Sequence, residues 1–255
     1  MNYQQRIQHA FAQAAEHYDH WAGLQQQSMQ TLLSMLPAEG PWLGNVADIG
    51  GGTGELLYHL QEAGAASPVL LDLAWPMLKQ AQARGVSLCM QGHMEALPLQ
   101  TGTMDALVSN FALQWSSSPE SVLAECWRVL RQGGYLAMAV PVAGSLEEIR
   151  GAWQQAGLQD PINPLSTKDA WVHALGDRWS IVASRSNSVQ VTYTDAKEGL
   201  RALSVLGASA QARPRQGLLG RSAFARAQAA WFQLSDAQGY RLRYRVLWWI
   251  VQKSE

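Results

Sequence analysis

Along the first 40 residues the apolar positions recur at helical spacing. Ile7, Phe11, Ala14, Ala15 and Tyr18 fall three and four apart and share one face. A second helix is predicted from about 24 to 36, ended by Pro37. From Asn45 the pattern changes to short apolar runs at 46–49, 69–73, 86–90, 106–109 and 135–140, which read as buried strands. Between them, 55–63, 76–84 and 119–130 read as amphipathic helices. Strands alternating with such helices predict βαβ units and a mostly parallel sheet, an α/β fold with helices on both faces.

Beyond Pro141 the rhythm loosens. A helix is expected over 145–155, with Ser145 as its cap and Glu147 and Glu148 near its positive end. A loop at 160–164 and a short helix at 168–175 follow, and the β-rich segments 189–193 and 240–251 could finish the sheet. Residues 207–220, with their glycines and Pro214, read as a mobile connection. The whole chain, 1–255, is expected to form a single domain. Residues 1–40 would be its helical lid, and 145–180 and 196–235 the insertions that build a small helical cap.

Composition narrows the class. With 47% hydrophobic and 15% charged residues in 255, the chain can build a sizeable core and is not a disordered sequence. Cys89 and Cys126 cannot make a disulfide framework and lack the spacing of a zinc site. The apolar run at 246–251 is far shorter than the ~20 residues that cross a bilayer. The opening segment is too polar for a signal peptide, so a cytoplasmic protein without a membrane partner is expected. The net charge of −1 hides a split: residues 1–196 carry 9 basic and 17 acidic side chains, residues 197–255 carry 10 and 3. A basic quarter on an acidic body suits an anionic partner, but without lysine-rich runs it does not read as a nucleic-acid surface.

The chemistry centres on Asp48-Ile49-Gly50-Gly51-Gly52-Thr53-Gly54, between a predicted strand and a predicted helix. Glycines there let the backbone approach a ligand, and the helix start offers free N–H groups. The dinucleotide spacing G-x-G-x-x-G fails, because Glu55 stands where the third glycine belongs. No Gly-Lys-Ser/Thr follows, so this is not a P-loop. What fits is a ligand without phosphate and with a cationic amino-acid end. Asp72, at the end of the second predicted strand, can accept both hydroxyls of a ribose.

These features, together with the segment Met104-Asp105-Ala106-Leu107-Val108-Ser109-Asn110 and with Arg128-Val129-Leu130-Arg131-Gln132-Gly133-Gly134 leading into the fifth strand, resemble class I S-adenosylmethionine-dependent methyltransferases. A narrower resemblance, to the malonyl-acyl-carrier-protein O-methyltransferases of biotin synthesis, spans nearly the whole chain. It is carried by Phe11–Tyr18, by Ser109-Asn110-Phe111-Ala112-Leu113-Gln114-Trp115, by Gly144-Ser145-Leu146-Glu147-Glu148, and by Leu206-Gly207-Ala208-Ser209 and Gly220-Arg221. It implies a Rossmann-like sheet of seven strands, one of them antiparallel, and S-adenosyl-L-methionine as cofactor. The implied substrate is a malonyl thioester, on acyl carrier protein or on coenzyme A, with the protein acting as a monomer.

Under that resemblance the cofactor would be held by Asp48, Gly50, Gly52, Gly54, Asp72, Met77, His93, Met94, Glu95 and Asn110. Tyr18 and Gln114 are the catalytic expectations, and Trp115, Arg213, Arg215 and Arg221 the substrate contacts. Two departures stand out. Where the family places an acid against the adenine amino group, this chain has Gly92-His93-Met94-Glu95, so neutral His93 could accept that hydrogen bond or Glu95 could substitute. The connection 210–220, whose only basic residues are Arg213 and Arg215, also lacks further basic and histidine residues expected of the family. A malonyl carboxylate is already ionised at neutral pH, so no general base is needed. Open alternatives are a methyltransferase for a quinone precursor or small carboxylic acid, and a non-catalytic relative that binds cofactor or carrier protein.

Overall fold

The computed structural model describes residues 3–37, 39–206 and 221–254. Three helices, α1 (Tyr3–Ala14), α2 (Tyr18–Trp21) and α3 (Gly23–Met35), lead into the alternating core. The core runs β1 (Asn45–Ile49), α4 (Glu55–Glu62), β2 (Ser67–Asp72), α5 (Trp75–Arg84), β3 (Cys89–Gln91), β4 (Met104–Asn110), α6 (Pro119–Val129) and β5 (Leu130–Pro141). Then come α7 (Glu147–Gln155), α8 (Lys168–Leu175), β6 (Trp179–Tyr193), α9 (Ala196–Val205), α10 (Arg221–Leu234) and β7 (Tyr240–Lys253). The strands form one sheet in the order β3-β2-β1-β4-β5-β7-β6. All run parallel except β7, which is antiparallel to both β5 and β6.

The two faces follow the strand alternation. Val46, Val108, Ala137 and Trp248 face α3, α4, α7 and α10, whereas Ile49, Leu107, Met138 and Trp249 face α6 and α8. Residues 145–180, expected within one cap, are thus divided: α7 packs on α10, and α8, through Trp171 and Leu175, packs with α6 on the opposite face. The tryptophans tie elements together by ring and by N–H. Trp248 Nε1 donates to the Ser28 carbonyl at 3.0 Å, fixing α3 on β7, and Trp231 Nε1 donates to the Arg241 carbonyl at 2.8 Å. Trp153 and Trp231 meet edge to face between α7 and α10.

Ser145 does not cap α7. Leu146 (φ 59°) occupies the cap position, while the Ser145 hydroxyl donates to the Val142 carbonyl and accepts the Arg245 N–H. The α7 start is thereby stitched to β7 instead. The alternating Arg241, Arg243 and Arg245 do share a face, and that face meets α7. Arg241 and Arg243 converge on the buried Glu148 at 3.1 and 2.9 Å, and Arg245 reaches Glu147 at 3.2 Å. Glu148→Ala would leave two guanidinium groups without their shared anion, and is expected to cost about 2 kcal/mol in urea unfolding. Arg213, Arg215 and the expected connection 207–220 lie outside the described residues, and Arg221 is placed only as the first residue of α10. Arg226 Nη2 lies 3.5 Å from the Ala156 carbonyl that ends α7. Among the described residues no helix is long and apolar enough to cross a membrane.

Candidate functional site

The carboxyl ends of β1, β2 and β4 lie side by side under the N-terminal helices and enclose a cavity of about 1080 Å3, counted out to its open mouth. This is where a parallel sheet of this kind places its ligands. The glycine turn forms the floor, and its glycines do different work. All three of Gly50, Gly52 and Gly54 have left-handed backbone, with φ of 66°, 55° and 82°. A methyl group on Gly50 would stand 2.4 Å from Ala112 Cβ, and one on Gly54 would stand 2.9 Å from Ala81 and Val86. Gly54 therefore lets α4 pack against α5 and does not line the cavity. At Gly52 nothing lies within 4 Å, so a side chain there would enter the cavity itself.

Asp72 accepts the Gly52 N–H at 3.0 Å and the Ala74 N–H at 2.8 Å. Burial pushes its carboxyl up to about 6, against the lowering effect of those N–H groups. Asp48 is 1% exposed, and neither of its oxygens has a hydrogen-bond partner among the described residues. Burial first, and the charge of Asp72 second, push it up to about 8. Two buried carboxyls facing one cavity call for a cation. Asn110 adds a third acceptor: its Nδ2 donates to the Gln25 carbonyl at 3.0 Å, and its Oδ1 is buried and unpartnered. This acceptor set fits S-adenosylmethionine. Asp48 and Asn110 can meet the ammonium of its amino-acid end, and Asp72 retains lone pairs for ribose hydroxyls. Met77 and Met94 add apolar walls.

The adenine end differs from expectation. Glu95 does not line the cavity, because its Oε1 accepts from the Ser117 backbone N–H and hydroxyl at 2.5 and 2.6 Å. His93 does line it, but its Nδ1 already accepts the Glu95 N–H at 3.2 Å. In the neutral ring the proton then sits on Nε2, so the nitrogen left for a ligand donates and does not accept.

The roof was largely hidden in the sequence. Tyr18 lines the cavity, and burial first, then Asp72, Asp19 and Glu55, raise its pKa far above the ordinary phenol range. It is therefore a hydrogen-bond donor at every working pH and not a base. Phe11 lies between it and Trp115, tilted against Tyr18 and edge-on to Trp115, with ring centres 6.2 and 5.8 Å apart. This roof is latched to the floor at Asp19, which accepts from the Thr53 hydroxyl at 2.6 Å and from Arg84. Gln8 Nε2 adds a second tie to the Leu73 carbonyl. No spacing marks these tethers, which join α1 and α2 to residues dozens of positions away. Asp19→Ala is expected to weaken cofactor binding roughly fivefold, without loss of fold, in a calorimetric titration.

Gln114 is not in this cavity. It lines a second, smaller one, of about 340 Å3 counted out to its open mouth, that shares Gln25, Phe111 and Trp115 with the first. Trp115, placed with the substrate by sequence, thus stands at the seam. Phe111 is held there in left-handed backbone (φ 56°), an arrangement that costs on the order of 1–3 kcal/mol and clusters at functional sites.

A seven-stranded sheet with one antiparallel strand, a glycine turn and a strand-end acid over an anionic cavity define a methyltransferase. Residues 47–138 match the family model described as a methyltransferase domain. Solved structures agree on the fold. A chain from the complex between the Haloferax volcanii Trm112 methyltransferase activator and its methyltransferase superposes with a TM-score of 0.60 at 17% identity, over 96% of this chain and 98% of that one. Geranyl diphosphate methyltransferase in complex with S-adenosylmethionine gives 0.53 at 17% identity, over 90% and 85%. The chain belongs to the malonyl-[acyl-carrier protein] O-methyltransferase family. It is 32% identical over 252 residues to the protein of that name from Salmonella typhimurium, and 33% identical over 252 residues to that from Erwinia billingiae. In both comparisons 98% of each chain is covered. It is an S-adenosylmethionine-dependent O-methyltransferase.

Proposed function

We propose that the chain methylates the free carboxylate of a malonyl thioester carried on acyl carrier protein, giving the methyl ester that enters biotin synthesis. The observation that carries this reading is the pairing of a cation-seeking acidic cavity with a roof whose buried Tyr18 hydroxyl stays protonated and whose Asp19 carboxylate is engaged by Thr53 and Arg84. S-adenosylmethionine supplies, when bound, a methyl group on a cationic sulfur. The residues supply alignment and exclusion of water. Asp48, Asp72 and Asn110 would hold the cofactor's amino-acid and ribose groups, and the glycine turn leaves room for it at Gly52. Tyr18 would donate a hydrogen bond to the malonyl carboxylate, orienting it without capturing a proton. Phe11 and Trp115 would strip water from the meeting charges.

Acyl carrier protein, named in the relatives' titles, is taken as the carrier in preference to coenzyme A, and an acidic carrier suits the basic final quarter. Arg213, Arg215 and Arg221 remain its proposed contacts. A monomer is taken as the working unit. Free Cys89 and Cys126 are in keeping with a reducing cytoplasm. The test is transfer of labelled methyl from S-adenosylmethionine to malonyl- and acetyl-carrier protein. Label that enters only the malonyl form and is released by mild alkali as volatile methanol supports a carboxyl ester. Alkali-stable label, or equal labelling of both, contradicts it.

A further inference from the structure

The second cavity is an apolar slot with polar atoms set in its wall. Pro141, Leu146, Ile162, Leu165, Leu206 and Tyr244 form its far side. Two of its buried polar atoms stand unpartnered among the described residues, the Gln114 Oε1 acceptor and the Trp115 Nε1 donor. Gln25 Oε1 is also unpartnered, but Gln25 lines the first cavity as well, where a cationic ligand needs acceptors. The carboxamide of Gln114 is oriented by Nε2, which donates to the Phe111 carbonyl at 2.7 Å. A flipped amide would set two oxygens face to face, so the free atom is the oxygen. Buried groups of this kind seek partners from whatever binds.

The matching ligand carries a carbonyl oxygen for Trp115, an apolar stretch for the slot, and an N–H for Gln114. An acyl thioester on a cysteamine-type arm has these in order: thioester carbonyl, sulfur and two methylenes, then an amide N–H. We propose that the second cavity holds the thioester end of the arm. Trp115 Nε1–H donates to the thioester carbonyl, and Gln114 Oε1 accepts the first amide N–H. Gln114 is then a specificity-determining residue that selects arms bearing an amide, whichever carrier they hang from. This rests on the reading of the substrate as a malonyl thioester.

The experiment compares two small substrates, the malonyl thioester of N-acetylcysteamine and S-butyl hydrogen thiomalonate, which keeps the apolar stretch but lacks the amide. The wild-type protein is expected to favour the first by at least about tenfold in kcat/KM, the fold-change of one buried hydrogen bond. In Gln114→Leu that ratio falls to within about twofold of one, through KM for the amide-bearing substrate. Leu165→Trp, a change on a partly exposed loop, narrows the slot and raises KM for both thioesters. Calorimetric cofactor binding checks that each variant is folded, and if Gln114→Leu is not, Leu165→Trp decides. A wild type that methylates both substrates without preference, a ratio unchanged in Gln114→Leu, or an unaltered KM in Leu165→Trp overturns the proposal. A wild type that methylates malonyl-carrier protein but neither small thioester overturns this proposal and leaves the malonyl reading standing, whereas one that fails on malonyl-carrier protein as well overturns both.

Discussion

Asp72→Ala is expected to weaken S-adenosylmethionine binding by at least about 100-fold while the protein still unfolds cooperatively. Asp72 both shapes the floor, by accepting the Gly52 and Ala74 N–H groups, and faces the ligand space. Two hydrogen bonds from ribose hydroxyls to a charged acceptor are each worth about 1.5–3 kcal/mol. Their joint loss is about 3 kcal/mol or more, or two powers of ten in affinity. Stability suffers less than affinity, because removing this charge also relieves the repulsion that helps keep Asp48 protonated. Asp72→Asn keeps the shape and should retain part of the binding. Isothermal titration with each variant measures this, and an Asp72→Ala affinity within about threefold of wild type would contradict the assignment.

The pH dependence of stability runs opposite to that of an ordinary surface carboxylate. Burial pushes the Asp48 carboxyl up to about 8 in the folded protein, from about 3.8 in the unfolded chain. Between those values the folded state keeps a proton that the unfolded state has lost. Stability of the cofactor-free protein therefore falls as pH rises from about 4 to about 8, by about 1.4 kcal/mol per unit at most. Asp72, at about 6, adds to the fall in the lower half of that window. The cationic end of the cofactor needs Asp48 ionised, so its affinity should rise between pH 6 and 8, by up to about tenfold per unit. Asp48→Asn should flatten both trends. Urea melts and cofactor titrations across that range measure them, and a cofactor-free stability that rises with pH would contradict the buried, unpartnered carboxyl.

The contrast between what sequence did and did not reveal has physical causes. The strands β1, β2 and β4 and the second half of β5 are buried on both faces and read as unbroken apolar runs, whereas β5 begins at Leu130, five residues before its expected start, over an exposed stretch. The strand β6 escaped over its first ten residues, because it is the sheet edge. From Ser180 to Ser188 its side chains are largely exposed, Ile181 and Val182 among them, and after Ala183 serine, arginine and asparagine replace the apolar signal. The glycine turn and Asp72 were legible because their chemistry lies in adjacent residues at the ends of strands. The roles of Glu95, Gln114 and His93 were not, since each depends on which neighbour claims one particular atom. Ser117 takes the Glu95 carboxylate, the Phe111 carbonyl takes the Gln114 amide nitrogen, and a backbone N–H takes His93 Nδ1. The arginine alternation on β7 was legible, but its partners Glu147 and Glu148, about 100 residues away, were not.

The most direct test of the central claim is intact-mass spectrometry of malonyl-acyl carrier protein incubated with this protein and S-adenosylmethionine, beside an acetyl-carrier control. The predicted result is the mass of one added methyl group on the malonyl form alone, removed by esterase. An unchanged malonyl carrier in the presence of demonstrable cofactor binding, or a methyl group added to the acetyl form as well, would contradict carboxyl methylation of the malonyl group.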